Sequence, residues 1–235
     1  MPFLNEQPTT AEVAELFLGA PGVELDDANP ENRFRPEWID SASRLLDDAV
    51  AGGAKGVVIT ATGKFFTNGL DTDFIAAHAA QLPAYLDQVH TFYRKVLTLP
   101  VPTVAAINGH AFGAGAMLAL CADVVVMRTE RGFFSLPEAA LNMPFTRGMA
   151  ALVRTRLPER TATEAMLTSR RYGGDEAVVS GIADEAVAVE ELIARAAAIA
   201  AGRAPLAGPN LAVIKRGLRL PLLDDLAVPT PPTLL

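Results

Sequence analysis

Apolar residues near the start of the chain change their spacing twice. Residues 12–18 mix polar and apolar side chains in a way that is typical of a strand. After Pro36, apolar residues recur at helical spacing until the Gly52–Gly53 pair, which predicts a helix. Residues 56–61, GVVITA, form a β-branched run typical of a strand covered on both faces. Strand, helix and strand in this order predict a crossover unit and therefore an α/β fold.

The order of strand, glycine-containing turn and helix then occurs a second time. The predicted elements are a loop over 62–73, a helix over 74–99 broken near Pro83, a buried strand over 102–107, a short helix over 113–122 and a strand over 123–127. In open α/β sheets, ligands bind beyond the carboxyl ends of the strands. We therefore expect functional residues in the two turns.

The chain becomes mostly helical after residue 144. The predicted elements are helices over 148–156, 160–168, 190–202 and 209–218, a short helix between an N-cap at Asp175 and Gly181, and a last strand over 182–187. Residues 21–34 are polar and predict a loop. We predict a core domain over residues 1–200 and a helical C-terminal segment over 201–235. Its proline-rich end, 229–235, is expected to be a loose tail.

The composition restricts the classes of protein that remain. The chain has 235 residues, of which 50% are hydrophobic, which is enough for one large core. A formal net charge of −7 disfavours a nucleic-acid partner, because such proteins cluster Lys and Arg. Cys121 is the single cysteine, which excludes an intrachain disulfide and favours a reducing, cytoplasmic location. We find no signal peptide and no apolar run approaching the ~20 residues of a membrane-spanning helix.

Two glycine turns follow consecutive buried strands. Asn68-Gly69-Leu70 follows the first, and Gly113-Ala114 opens the short helix after the second. If the strands are neighbours, the N–H groups of Leu70 and Ala114 can converge on one carbonyl oxygen, and the helix dipole adds to their effect. For either turn alone, a glycine that merely permits a tight turn is the better interpretation.

Glu138 is a lone carboxylate in the mostly apolar stretch FFSLPEAAL. Burial in such surroundings would raise its pKa and make it a better general base near neutral pH. An inert carboxylate at a helix start, directly after Pro137, is an equally good interpretation of the local sequence.

The remaining polar residues have weaker claims. Asp71 and Asp123 are expected to hold loops through hydrogen bonds to the backbone. Because the histidines are scattered and the cysteine stands alone, we predict no metal site. Four basic side chains could meet ligand phosphates, although ordinary solvated surface is the stronger interpretation for each: Lys64, Lys215, Arg216 and Arg219.

The combination of these motifs resembles the crotonase superfamily, also called the enoyl-CoA hydratase/isomerase family. The resemblance rests on four segments: GKFFTNGLD at 63–71, PTVAAINGHAFGAGAMLALCAD at 102–123, FSLPEAAL at 134–141 and AVVSGIADEAV at 177–187. It implies an α/β fold of the ββα-superhelix type with a helical C-terminal subdomain. It also implies a homotrimer or dimer of trimers, and a CoA thioester substrate with no metal or other cofactor.

The resemblance further assigns roles to residues. It implies an oxyanion hole made by the backbone N–H groups of Leu70 and Ala114. The loop that would line the substrate and CoA site includes Asn68, Gly69, Asp71 and Thr72. Asn142 departs from the family pattern, in which a glycine is common at this position.

The number of acids separates two branches of the family. Hydratases use two glutamates, and the position of the first is Met117 here, which cannot deprotonate water but could line the acyl site. The second corresponds to Glu138. One base is the pattern of the Δ3,Δ2-enoyl-CoA isomerases of fatty-acid metabolism, so we predict that activity, with Phe66, Phe74, Phe112 and Phe145 as further candidate walls of the acyl site. The alternatives are a hydratase, hydrolase or lyase of the same family, or a catalytically silent binder of CoA esters.

Overall fold

A computed structural model describes residues 1–20 and 32–234. Most of the loop predicted over 21–34 lies outside the described residues. The strands are β1 (Phe3–Leu4), β2 (Val13–Phe17), β3 (Gly56–Thr60), β4 (Phe65–Thr67), β5 (Thr103–Ile107), β6 (His110–Phe112), β7 (Val124–Arg128), β8 (Phe134–Ser135), β9 (Arg171–Tyr172) and β10 (Glu185–Val187). The helices are α1 (Pro36–Ala51), α2 (Thr72–Ala77), α3 (Leu82–Thr98), α4 (Ala114–Cys121), α5 (Arg147–Arg156), α6 (Glu159–Thr168), α7 (Gly174–Val179), α8 (Val189–Gly202), α9 (Pro209–Leu218) and α10 (Leu220–Asp225), with 3₁₀ turns at Ala79–Gln81 and Ala204–Leu206.

The described strands form two sheets that bring the glycine turns together. The larger sheet has the order β1-β2-β3-β5-β7-β10 and is parallel except where β1 pairs with β2. The smaller sheet has the order β4-β6-β8-β9, and β4 runs parallel to β6. Because β3 neighbours β5 and β4 neighbours β6, the two glycine turns, which follow β4 and β6, lie at the same edge of the sheets. The predicted α/β fold is therefore confirmed.

Alternate residues of the central strands face two separate apolar cores. In β3, Val57 and Ile59 lie in the larger core with residues of α1, α3 and α4, whereas Val58 lies in a smaller core with residues of α8. Period-two side-chain alternation on a sheet covered on both faces produces this arrangement. The β-branched runs read from the sequence are therefore fully buried strands.

Three predicted elements differ from the structure. The loop predicted over 62–73 contains β4, and the helix predicted over 74–99 is divided into α2, a 3₁₀ turn and α3. The short helix α7 begins one residue before the predicted cap at Asp175, because Gly173 holds the N-cap position. Helix α10 was not predicted. These are short elements, whose few residues carry little periodicity.

Lys215 and Arg219 were expected at the surface, or alternatively at ligand phosphates, and both interpretations are wrong. Both side chains are buried and pair with Asp123, at 2.5 Å and 2.8 Å. Burial alone would raise the pKa of Asp123, but the two cations outweigh it and hold the pKa below its usual value. Asp123 also accepts a hydrogen bond from the Thr103 N–H, as predicted for a loop-holding residue. The cluster ties α9 to the main sheet.

The segment 229–234 is anchored to the rest of the fold and is not loose along its whole length. The backbone N–H and the hydroxyl of Thr230 both donate to Asp87 Oδ1, at 2.9 Å and 2.7 Å. Thr230 is buried. The division of the chain near residue 200 stays a prediction. In the described part of the chain, no helix combines the length and apolar character needed to cross a membrane.

Candidate active site

The two glycine turns are in direct contact. A Cβ atom built on Gly69 would lie 2.8 Å from the Ala114 nitrogen and 2.6 Å from the Gly115 nitrogen. Gly69 also has a φ of +78°, which disfavours any side chain. Ala114 is the first residue of α4, so its N–H has no carbonyl partner within the helix. The glycine at position 69 is therefore needed both for backbone conformation and for close approach.

Leu70 is held in place through its neighbours. Leu70 and Phe34 form an isolated parallel β-bridge. Its hydrogen bond runs from the Phe34 N–H to the Gly69 carbonyl at 2.7 Å, so the bridge does not use the Leu70 N–H. The Tyr85 hydroxyl accepts from the Asp71 N–H at 2.9 Å and donates to the Phe34 carbonyl at 2.7 Å. These bonds fix the peptides on both sides of Leu70 while its own N–H stays outside the bridge.

Tyr93 supports the second turn. Its hydroxyl donates to the Ala114 carbonyl at 2.6 Å, and its side chain is fully buried on α3. Burial raises the pKa of Tyr93, and the nearby ionisable groups of Cys121 and Glu138 act in the same direction. The hydroxyl therefore stays protonated and acts as a donor.

Asp71 caps α2 and lies behind the site. Its carboxylate accepts from the N–H groups of Asp73 and Phe74 and forms an ion pair with Arg35 at 2.8 Å. Burial would raise the pKa of Asp71, but these donors and the Arg35 charge lower it overall. Asp71 is not among the described residues that line the two cavities below, and its hydrogen bonds hold the loop.

Glu138 lies across from the glycine turn that opens α4. A Cβ atom built on Gly113 would lie 3.1 Å from Glu138 Oε1, so the residue at 113 must be small for the carboxylate to occupy this position. Glu138 Oε2 is buried and has no hydrogen-bond partner among the described residues. Burial raises the pKa of Glu138 to about 7, and a hydrogen bond with its own backbone N–H only partly offsets this. A buried carboxylate with one unpaired oxygen and such a pKa is suited to accept and return a proton.

The apolar main cavity contains Glu138 and both turns. Its lining comprises Asn68, Leu70, Thr72, Leu82, Leu86, Gly113, Ala114, Pro137, Glu138, Leu141, Met143, Pro144, Thr146, Met149 and Leu234. Glu138 is the single acidic residue among them. Enclosure by aliphatic side chains strengthens every electrostatic interaction inside the cavity.

A more polar cavity adjoins the main one. Its lining comprises Arg33, Asn68, Leu70, Thr72, Phe112, Ser135, Pro137, Ala140, Leu141, Ser169 and Arg171. The two cavities share five residues of the turn and of the Glu138 segment: Asn68, Leu70, Thr72, Pro137 and Leu141. Arg171 lies over the rings of Phe112 and Phe133, and Arg33 pairs with Asp73.

Several predicted site residues lie elsewhere. Met117 is fully buried in the larger core, one turn into α4, and is not among the described residues lining either cavity. Phe66 is likewise buried in the core, Phe74 stacks on His78, and Phe145 packs against the core. Phe112 alone of the candidate aromatic walls lines a cavity, the polar one. Hydrophobic side chains occur both in a core and in a cavity wall, so the sequence alone could not assign these residues to one or the other.

Asn142 adopts a backbone conformation that glycine reaches without strain. Its φ is +52°, in the left-handed region that Asn tolerates better than most residues. Asn at this position is therefore compatible with the turn after Glu138.

The cavity also contains residues that sequence reasoning missed. Thr146 lines the cavity and caps α5. Its hydroxyl shares a hydrogen bond of 2.8 Å with the ring of His90 on α3. Burial lowers the pKa of His90, which favours the neutral ring. A Thr before a helical pattern is a readable N-cap signal, but its position in a cavity is not. Leu234 and Arg171 had no local signal. In residues 1–20 and 32–234, no cluster of three or more His, Cys, Asp or Glu residues could hold a metal ion.

Comparisons with known proteins agree with the geometry. The family described as enoyl-CoA hydratase/isomerase matches residues 21–218. Enoyl-CoA delta isomerase 3 of Arabidopsis thaliana is 37% identical over 163 residues, which are 66% of this chain and 68% of that protein. Carnitinyl-CoA dehydratase of Proteus mirabilis is 32% identical over 212 residues, 88% of this chain and 78% of the relative.

A solved structure has the same fold. An enoyl-CoA hydratase/isomerase family protein from Pseudomonas syringae superimposes with a TM-score of 0.81 at 27% identity, over 92% of this chain and 90% of that one. The fold, the four sequence segments and the extent of the family match lead to one conclusion. The chain belongs to the enoyl-CoA hydratase/isomerase family, the crotonase superfamily.

Proposed function

We propose that the protein is a Δ3,Δ2-enoyl-CoA isomerase of fatty-acid metabolism, which moves a double bond from position 3 to position 2 of an acyl-CoA thioester. The observation that carries the proposal is the single carboxylate, Glu138, in an apolar cavity beside two convergent glycine turns. Moving a double bond needs one group that accepts and returns a proton. Adding water needs a second group to activate the water. The similarity to an Arabidopsis protein named as a delta isomerase supports the same conclusion.

Glu138 is proposed to act as both base and acid. The C2 protons of a 3-enoyl thioester are acidic, because their loss spreads charge over the carbonyl and the double bond. In its ionised form, Glu138 removes one C2 proton and becomes a neutral carboxyl group. The same group returns the proton at C4, which completes the 2-enoyl product and restores the ionised base. The pKa near 7 makes both transfers favourable at neutral pH.

The N–H groups of Leu70 and Ala114 are proposed to hold the thioester oxygen while it carries negative charge. The contact between their turns, and the position of Ala114 at the start of α4, support this role. A donor of this kind is worth ~2.7–4 kcal/mol of transition-state stabilisation. Asn68 and Thr72, which line both cavities, are proposed to contact the substrate beside the thioester.

The activity should depend on pH through Glu138. Because the free enzyme needs this carboxyl ionised, kcat/KM should rise with pH, pass its midpoint near the pKa of about 7 and reach a plateau above it. Initial rates with a 3-enoyl-CoA ester, at constant ionic strength between about pH 5 and 9, measure this. A profile that is flat from mildly acidic to mildly basic pH would contradict the assignment of the base.

The products distinguish the isomerase from a hydratase of the same family. We expect conversion of 3-enoyl-CoA to 2-enoyl-CoA to exceed hydration of 2-enoyl-CoA by at least about 10²-fold, because one positioned acid–base group contributes at least that factor. Mass spectrometry separates the hydrated product, and proton NMR locates the double bond. Hydration at a rate equal to isomerisation would favour the hydratase.

The CoA moiety is proposed to extend through the polar cavity, where Arg171 can meet a phosphate group. No resident cofactor is proposed, since CoA enters as part of the substrate.

A homotrimer or dimer of trimers is proposed as well, supported by apolar side chains on α9 that are strongly exposed in the single chain: Val213 at 66%, Ile214 at 55% and Leu218 at 73%. The single cysteine supports a reducing compartment, such as the cytoplasm, as the proposed location.

A further inference from the structure

Leu234 lines the main cavity although it lies far along the chain from the rest of the site. Its side chain is half-buried and packs against the larger core. The family match covers residues 21–218, so this part of the wall comes from a segment outside it. A residue contributed by such a segment can adapt the cavity of this chain without altering the catalytic geometry.

Two fixed points hold the segment that carries Leu234. On one side, α10 packs against α5: a Cβ atom built on Gly148 would lie 2.8 Å from a methyl carbon of Leu226. On the other, Thr230 donates two hydrogen bonds to Asp87. These contacts fix the chain at residues 226 and 230, and the Leu234 N–H donates to the Pro231 carbonyl at 3.2 Å in the turn that directly follows Thr230.

The anchor and the cavity wall share one helix. Asp87 lies on α3, which also supplies Leu82 and Leu86 to the cavity lining. Three residues after Asp87 on the same helix, His90 bonds to Thr146 of the lining. The anchor of residues 229–234 and this part of the cavity wall are therefore built on the same helix.

Leu234 lines the main cavity and is not among the described residues that line the polar one. The residues shared with the polar cavity include Leu70 and Pro137, whereas Leu234 lines the main cavity alone. Apart from Gly113 and Ala114 of the glycine turn, the unshared apolar lining consists of Leu82, Leu86, Met143, Pro144, Met149 and Leu234. If the CoA moiety occupies the polar cavity, this apolar part receives the acyl chain.

We propose that Leu234, held by the Thr230–Asp87 anchor, is a specificity-determining residue that limits the length of the acyl chain. The proposal rests on the proposed function only in taking an acyl-CoA ester as the ligand. It does not depend on Glu138 or on the reaction. Leu234 contacts short chains and blocks the space that longer chains would enter.

The test measures binding of saturated acyl-CoA esters of increasing chain length, which need no turnover. For Leu234→Ala, we expect the optimum to shift to longer chains, with affinity rising about fourfold for each methylene that enters the vacated space. For Leu234→Phe, we expect the optimum to shift to shorter chains. Thr230→Val, which removes the hydroxyl but keeps the size, should move the optimum in the same direction as Leu234→Ala, by less.

Val228→Ala provides the matched control, because Val228 is an exposed aliphatic residue of the same segment and is not among the described residues lining the main cavity. Circular dichroism and thermal unfolding establish that each variant is folded. An unchanged chain-length profile in both folded Leu234 variants would overturn the proposal and leave the isomerase assignment untouched. If the unmodified protein bound none of the esters, the ligand class and this proposal would fail together.

Discussion

Glu138→Gln is expected to reduce isomerisation of 3-enoyl-CoA by roughly 10²–10⁴-fold, the contribution of one positioned acid–base group. Gln has the same shape as Glu but cannot accept the C2 proton. Because the cavity wall keeps its shape, saturated acyl-CoA esters should bind with affinities within a few-fold of the unmodified protein. The measurements are kcat and KM with a 3-enoyl-CoA ester and the dissociation constant of a saturated ester.

Glu37→Gln is the matched control, since Glu37 is an exposed carboxylate in the first turn of α1, outside the lining of the main cavity. Its activity should equal that of the unmodified protein. Full isomerase activity in the Glu138→Gln variant would show that another group is the base. If the unmodified protein binds the esters but isomerises none, a silent binder becomes the better description.

The same substitution has a second readout that needs no substrate. Burial raises the pKa of Glu138 from 4.5 to about 7, so the folded state favours the protonated form. Stability from this group is fully present below 4.5 and is lost as pH rises through about 7. Relative to the unmodified protein, Glu138→Gln should therefore gain roughly 1–3 kcal/mol in free energy of unfolding above neutral pH. Equal gains at acidic and basic pH would show that the carboxyl is not perturbed.

Gly69→Ala is expected to lower kcat by at least about 10²-fold, the loss caused by removing one oxyanion-hole donor. The new methyl group would lie 2.8 Å from the Ala114 nitrogen and 2.6 Å from the Gly115 nitrogen, so the two turns would have to separate. Separation moves the N–H groups of Leu70 and Ala114 out of register with a single oxygen. Because the donors act mainly on the transition state, kcat should fall more than KM rises.

Gly63→Ala is the matched control for this effect. Gly63 lies between β3 and β4, and of the described glycines with positive φ it is the nearest to Gly69 in sequence. Its φ is +75°, nearly the same as the +78° of Gly69. A methyl group on Gly63 would meet nothing within 4 Å. Both substitutions carry the cost of alanine at positive φ, and Gly69→Ala adds the steric clash between the turns. Thermal unfolding checks that both variants are folded, and kcat reports the effect of separating the turns. Equal kcat values for the two variants would argue against an oxyanion hole at the meeting of the turns.

Much of the fold could be predicted because it is encoded in local periodicity. The runs that became β3, β5 and β7 are rich in β-branched residues and bounded by turn residues, and α1 and α8 carry clear helical spacing. Shorter elements such as β4 and α10 were missed, because a few residues do not establish a period. In the site, Leu70, Ala114 and Glu138 were identified from motifs whose members lie close together in sequence.

The sequence by itself determined the family, the order of the main elements and the presence of two glycine turns and one lone carboxylate. Only the tertiary structure decided which side chains share a space. It placed Met117 in the larger core, paired Lys215 with Asp123, and brought Leu234 to the cavity. The physical reason is that hydrophobic patterning specifies that a side chain is buried, whereas its neighbours depend on how distant segments pack.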